Sequence, residues 1–244
     1  MKKVIEVKHF KKRFATKQVH EDVSFCVYEH ECLGLIGGSG VGKSIILRSL
    51  IGLEKPDSGE IWVEGQEISR LSETQLVDIR KRVAYVFQGG ALFDSMSVFD
   101  NLAYSLREHT FMKEVEIQDK VLSLLKEFRL EGNDKIFPAD LSGGMQKRVG
   151  LARAIILGPS CILYDEPTAG LDPYNTKKIQ DMILRLKSAG TTSILVTHDM
   201  PTALAVCDRI IMLGEGKVIA DKSLEDLVAS HEGPIKAFMD GEIP

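Results

Sequence analysis

CLGLIGGSGVGKSIILRSLI, residues 32 to 51, decides the fold. CLGLI (32 to 36) is a short apolar run of strand character. GGSGVGKS (Gly37 to Ser44) satisfies the G-x-x-x-x-G-K-[ST] pattern, and KSIILRSLI then continues as a helix. Strand, glycine loop and helix together form the setting in which that pattern holds phosphate. The glycines let backbone amides curl around phosphate oxygens and the helix start adds partial positive charge. Lys43 reaches the outer phosphates, and the Ser44 hydroxyl ligates Mg2+. Gly37, Gly38, Ser39, Gly40, Val41, Gly42, Lys43, Ser44 and the adjoining Ile45 are therefore candidate nucleotide-binding residues.

Similar runs recur at VSFCV (23 to 27), VAYVF (83 to 87), CILYD (161 to 165), SILVT (193 to 197) and RIIML (209 to 213). The later runs alternate with helical patterns, which predicts an α/β fold with a largely parallel, helix-covered sheet. VIEVKHF (4 to 10), VSFCV and EIWVEG (60 to 65) lack long intervening helices and are separated by turn signals such as PDSG (56 to 59). They predict an antiparallel wing. From Gly89 to about Ile156, NLAYSLREH and EIQDKVLSLLKEFRL carry apolar residues at three- and four-residue spacing, which predicts a helical subdomain inserted between two core strands. The expected organisation is a single domain, 1–244: a nucleotide-binding core at 1–88 and 157–222, the helical subdomain at 89–156 and a tail at 223–244. The tail carries a helix, SLEDLVAS.

CILYDEP ends a strand in two adjacent carboxylates. Core strands would place Asp165 beside the phosphate loop to hold Mg2+, with Glu166 polarising the water that attacks the γ-phosphate. Gln88 ends VAYVFQ and His198 ends SILVTH, so both emerge towards the same edge. Gln88 is a candidate to contact Mg2+ or the attacking water, and His198 to hydrogen-bond the γ-phosphate. DLSGGMQKRVGLARAI (140 to 155) raises a further question, because Gly143 and Gly144 weaken the helix where it starts, by about 1 kcal/mol each relative to alanine. Ser142 as cap with the amides of Gly143 and Gly144 makes an anion cradle that the chain's own phosphate loop does not need. Met145, Val149, Ala152 and Ile156 form the expected buried side of that helix.

The 244 residues carry 35 acids and 31 bases, a formal charge of -4, which removes the simplest electrostatic case for binding nucleic acid. No apolar run approaches the length of a membrane span, and MKKVIEVKHFKK lacks the apolar centre of a secretion signal, so the expected setting is cytoplasmic. Cys26, Cys32, Cys161 and Cys207 are isolated in sequence and lack CxxC spacing, which favours buried thiols over a metal site.

GGSGVGKS, Gln88, LSGGM, CILYDEP, AGLD (169 to 172) and the pair Thr197 and His198 occur in an order that resembles the ATP-binding cassette (ABC) ATPases across nearly the whole chain. The resemblance implies a P-loop NTPase (RecA-like) core, ATP and Mg2+ as ligands, and a head-to-tail homodimer in which Leu141 to Met145 complete the partner's site. It also places Asp172 at the dimer seam and Phe14 on adenine. Phe14 stands where tyrosine is more frequent, Met145 where glutamine is commonest, and Gly38 and Ile45 where proline and threonine are frequent. None of these removes a phosphate ligand or the general base, so an active ATPase is expected.

FQGGALFDSMSVFDNLAYSLREHT (87 to 110), LSGGMQKRVGLARAI and KAFMDG (236 to 241) resemble the Mla/Mce-associated ATPases that power lipid movement across the bacterial envelope. That resemblance implies an integral membrane permease seated on the segment after Gln88, an MCE-type lipid-binding protein, a small STAS-type regulatory subunit, and a place on the cytoplasmic side of the inner membrane. Because the chain stops at Pro244, no extended C-terminal clasp is expected, and Phe238 is left to dock near the dimer interface. An ATPase serving another solute is the alternative. DNA-maintenance relatives are disfavoured because no heptad array separates Lys43 from Asp165, and ribosome-associated ones because there is one cassette.

Overall fold

The computed structural model describes residues 2–229 and 232–242. Strand β3 (Cys32–Ile36) is buried at all five positions and is an interior strand of the sheet. It pairs in parallel with β8 (Thr192–Val196) on one side and β9 (Arg209–Gly214) on the other, and β7 (Cys161–Asp165) and β6 (Val83–Val86) extend the parallel set beyond β8. Alternation along β3 divides the core. Cys32 and Ile36 join the cluster under the helices that follow β6, whereas Leu33 and Leu35 join the one under α1 (Lys43–Ser49). Each fully buried leucine or isoleucine contributes about 1.5–3 kcal/mol relative to an exposed one.

The wing is antiparallel, as expected: β1 (Lys3–Phe14) lies between β2 (Lys17–Tyr28) and β4 (Ser58–Val63), with a two-residue β5 (Gln66–Glu67) at the edge. Its strands run further than their apolar residues suggest, because the charged stretch of β1 still ladders, Lys12 opposite His20 and Phe14 opposite Lys17. A strand not anticipated, β10 (Lys217–Ser223), pairs antiparallel with β9 and meets β2 at Lys217 opposite Asp22, making one ten-strand order among the described residues.

Between β6 and β7 lie α3 (Val98–His109), α4 (Glu114–Glu127) and α5 (Gly143–Ile155), with no strand among the described residues of that interval. α3 buries Val98, Leu102 and Leu106, and α4 buries Ile117, Val121 and Leu125, the spacing from which helices were expected. No apolar period announces α2 (Glu73–Arg82), whose polar run buries only Leu76 and Ile79. A capping box defines its start: Ser72 accepts from the Gln75 amide at 3.5 Å while Gln75 Oε1 accepts from the Ser72 amide at 2.9 Å. After β7 come α6 (Pro173–Ser188), α7 (Met200–Val206), α8 (Leu224–Ala229) and α9 (Pro234–Met239). The expected tail helix matches α8 up to Ala229, while its last residue, Ser230, and the terminal Pro244 lie outside the described residues.

Cys32, Cys161 and Cys207 are buried free thiols and Cys26 is half-buried; Cys32 and Cys207, distant in sequence, have sulfurs 3.9 Å apart. Phe238 packs partly against the chain's own helical-side core.

Candidate active site

β3 delivers the chain directly into the phosphate loop. Gly37 has φ +144° and a side chain there would lie 2.5 Å from the Leu213 carbonyl oxygen, so the tight exit from the strand requires glycine. Gly42, at φ +97°, caps α1, and its Cα rests against the His20 ring, where a Cβ would come within 2.4 Å of the imidazole. Lys43 Nζ donates to the carbonyls of Gly37 and Gly38 at 2.7 and 2.9 Å, folding the side chain back along the loop. Burial lowers the Lys43 pKa, opposed by the negative charges of Glu166 and Asp165.

At the carboxyl end of β7, Asp165 is buried and accepts from two donors at once. Ser44 Oγ donates to Oδ1 at 2.7 Å, and the Tyr85 hydroxyl donates to Oδ2 at 2.7 Å. Glu166 follows at φ +51°, a left-handed conformation that costs a non-glycine residue about 1–3 kcal/mol. Its amide donates to the Val196 carbonyl at 2.9 Å, which ties the strained turn to β8. Its carboxylate lies 2.9 Å from His198 Nδ1 and accepts from Thr197 Oγ1 at 3.3 Å. With Nδ1 facing a carboxylate, Nε2 is the His198 nitrogen free to face a phosphate oxygen. Ser39, Gly40, Gly42, Lys43, Ser44, Ile45, Glu166, Val196 and His198 line one cleft of about 330 Å³.

The other candidates lie outside that lining. Phe14, at the end of β1, is exposed, with Lys12 Nζ 4.9 Å from its ring centroid. Gln88 lies exposed just after β6. Asp172 caps α6, its Oδ1 accepting from the Asn175 amide at 2.9 Å, and that bond holds its carboxyl below the usual range. Ser142 and Gly143 are exposed at the start of α5, where Ser142 Oγ accepts from the Met145 amide at 3.4 Å.

The glycine pair divides in two. Gly143 has open space where a Cβ would stand. Gly144 is buried, and a Cβ there would lie 2.6 Å from Asn175 Oδ1. Asn175 also accepts from Arg148 at 3.1 Å and donates to Asp172 Oδ2 at 2.6 Å, so Gly144 lets α5 pack on the start of α6. Val149, Ala152 and Ile156 are buried and Met145 is half-buried, as the spacing predicted.

Sequence reasoning assigned no role to several residues at this edge. Tyr85 and Thr197 are hydrogen-bonded to the two carboxylates. His20 is fully buried beneath the loop with neither ring nitrogen bonded, and burial pushes its pKa down to about 4. Lys147 Nζ is also buried without a hydrogen-bond partner, and burial lowers its pKa against the nearby charge of Glu166. Tyr85 alone carried a signal, since it shares a strand face with Phe87 next to Gln88.

A sequence profile of the ABC transporter family matches residues 20–169. A probable ribonucleotide transport ATP-binding protein, mkl, of Mycobacterium leprae is 42% identical over 238 residues, covering 97% of this chain and 69% of the relative. The intermembrane phospholipid transport system ATP-binding protein MlaF of Haemophilus influenzae is 38% identical over 240 residues, covering 98% of this chain and 91% of the relative. Among solved structures, the dimeric ATP-binding cassette MJ0796, bound to ADP and Pi in a post-hydrolysis state, superposes with a TM-score of 0.84 at 30% identity, over 90% of this chain and 98% of that one. A phosphate loop that shares one cleft with Glu166 and His198, and whose Ser44 is bonded to Asp165, thus sits in a fold and a sequence that share one ancestry, and the chain belongs to the ABC transporter family as an ATP-hydrolysing cassette.

Proposed function

We propose that the chain drives phospholipid transport across the bacterial envelope as a head-to-tail homodimer bound to an integral membrane permease at the cytoplasmic face of the inner membrane. The observation that carries the ATPase site is the meeting, at one sheet edge, of the Ser44 and Asp165 oxygens 2.7 Å apart with Glu166 and His198 beside them. That donor pair suits Mg2+, a hard cation bound through few protein oxygens and substrate phosphates, and bound Mg2+ would neutralise phosphate charge during transfer. The amides of residues 39 to 45 cradle the phosphates, and Lys43 turns from its carbonyl partners to the outer oxygens. Glu166 accepts the proton of the attacking water. His198 presents Nε2 to the γ-phosphate, Gln88 orients the water or metal, and Phe14 stacks on adenine. Ser142, Gly143 and the amide of Gly144 face the partner's γ-phosphate, with Asp172 at the seam.

Residues 89–156 act as the helical signature subdomain of a core formed by 1–88 and 157–222, with 223–244 as a tail. The permease occupies a groove of about 510 Å³ whose lining includes Arg80, Tyr85, Phe87, Phe93 and Arg153. An MCE-type lipid-binding protein and a STAS-type regulator complete the assembly. The phospholipid cargo is supported by the MlaF relatives and by residues 87 to 110; transport of another solute is the second reading, supported by the ribonucleotide in the name of the mycobacterial relative. Reconstitution of the ATPase with its native permease in liposomes separates them. At saturating ATP, turnover stimulated by phospholipids and indifferent to added pyrimidine ribonucleotides is expected, and the reverse response would overturn the lipid assignment. Ser142→Arg is expected to keep ATP binding and lose cooperative turnover; unchanged hydrolysis would refute the head-to-tail site.

A further inference from the structure

We infer that Tyr85 is a positioning residue for the metal-binding carboxylate, aiming Asp165 at the Mg2+ site through its hydroxyl. The inference rests on the assignment of Asp165 to Mg2+. Asp165 is 7% exposed, and each of its oxygens takes one hydroxyl donor, Ser44 at Oδ1 and Tyr85 at Oδ2, both at 2.7 Å. A carboxylate held at only one oxygen still turns about its Cβ–Cγ bond. Donors at both oxygens fix that torsion and with it the lone pairs presented to the cleft. Ser44 is itself expected to bind the cation, so Tyr85 is the donor that stays with Asp165 when Ser44 is engaged. Without it, Oδ2 would be a buried charged acceptor lacking a partner, a costly arrangement that a small rotation away from the cleft would relieve.

The sheet explains why this position reaches. β6 and β7 are parallel, Tyr85 lies opposite Leu163, and Leu163 and Asp165 point to the same face, so a long side chain leaning along the strand spans the gap diagonally. Phe87 packs on the ring at a 37° tilt, with centroids 4.3 Å apart, and the Arg48 guanidinium stands beside the phenol. Held on these sides, the hydroxyl has little freedom to leave Asp165. A phenylalanine would keep the packing and lose only the donor.

Tyr85→Phe in the full chain tests this by titrating a fluorescent ATP analogue with and without Mg2+, alongside Asp165→Asn and a thermal melt. The expected result is a Mg2+ enhancement of nucleotide affinity at least threefold smaller in Tyr85→Phe, Mg2+-free affinity within twofold of the parent, and a half-saturating Mg2+ concentration for turnover raised at least threefold. A purely structural role would change Mg2+-free binding and Mg2+-bound binding together, and that outcome overturns the inference. If Asp165→Asn loses the enhancement while Tyr85→Phe retains it in full, Tyr85 has no positioning role. If neither variant changes the enhancement, the assignment of Asp165 to Mg2+ has failed and the inference falls with it.

Discussion

Alanine at each of the two glycines that open α5 separates packing from function. At Gly143 a methyl group meets nothing within 4 Å, so the only folding effect is the propensity gain of about 0.5–1 kcal/mol for alanine over glycine. At Gly144 the same methyl lies 2.6 Å from Asn175 Oδ1 and 2.7 Å from its Cγ. The Asn175 side chain cannot yield freely, because it donates to Asp172 Oδ2 at 2.6 Å and accepts from Arg148 at 3.1 Å. Overpacking of that kind costs about 1–3 kcal/mol, which outweighs most or all of the helix gain and leaves a net loss of up to about 2 kcal/mol. For a domain of this size that is a fall in Tm of up to roughly 8 °C. Thermal unfolding and ATP turnover measured on both variants should therefore diverge: Gly144→Ala melts lower, whereas Gly143→Ala melts at or above the parent and still loses at least tenfold in turnover, because the added methyl occupies the approach to the partner's phosphate. A Gly143→Ala protein with full turnover would refute the role of the exposed glycine in the partner's site. A Gly144→Ala protein with raised Tm would refute the packing role of the buried one.

Glu166→Gln should retain nucleotide binding in a fluorescence titration and lose about 10²–10⁴-fold in phosphate release, the range expected for removal of a general base; normal turnover would remove Glu166 from the mechanism. Gly150→Ala should destabilise more than Gly144→Ala, by about 2–3 kcal/mol in a urea titration, because its Cβ would meet backbone, Gly90 Cα at 2.7 Å and the Gly90 carbonyl oxygen at 2.8 Å. His20, depressed from 6.5 to about 4 by burial, is neutral in the folded chain while the unfolded chain takes up a proton below pH 6.5. Its contribution is therefore fully present above pH 6.5 and lost as pH falls towards 4, a loss of about 3 kcal/mol. His20→Leu should flatten stability against pH across that window, and an unchanged acid limb in urea titrations from pH 7 to 4 would show that His20 is not its source.

What could be read from the residues was whatever local chemistry dictates. The phosphate loop announces itself because Gly37 and Gly42 are needed for backbone reasons and Lys43 and Ser44 for chemical ones, all within eight positions. The wing, the parallel core and the helices between β6 and β7 follow from apolar period alone. α2 and β10 escaped that test because each buries little: α2 relies on a capping box and β10 on ladder bonds to β9. The second donor on Asp165 was illegible for a different reason, since a tyrosine in an apolar strand reads as core until the diagonal neighbour on the next strand is known. His20 likewise looks like a polar residue on a wing strand, and only the fold carries it beneath Gly42.

The same limit applies to the glycine pair. Sequence shows two glycines at a helix start and one reason suffices for both, yet the fold assigns them different neighbours. Gly144 fixes the beginning of α5 to Asn175 on α6, and six residues later Gly150 lets the middle of the same helix touch the backbone of Gly90. Six residues of α-helix span about 9 Å, so one stiff segment joins the exposed Ser142 and Gly143 to the loop that follows Gln88. Arg153, a turn further on, donates to the Ala91 carbonyl and stacks on Phe93, with 4.2 Å from guanidinium to ring centroid, which adds a polar tie where the glycine contact has none. Residues 88 to 93 therefore cannot shift far without either breaking these contacts or carrying α5 with them. The second course is the less costly at Gly90, since its contact with Gly150 is backbone against backbone and has no side chain to rearrange. On that geometry a displacement of the groove wall is delivered to the start of α5, the end proposed above to face the partner's phosphate.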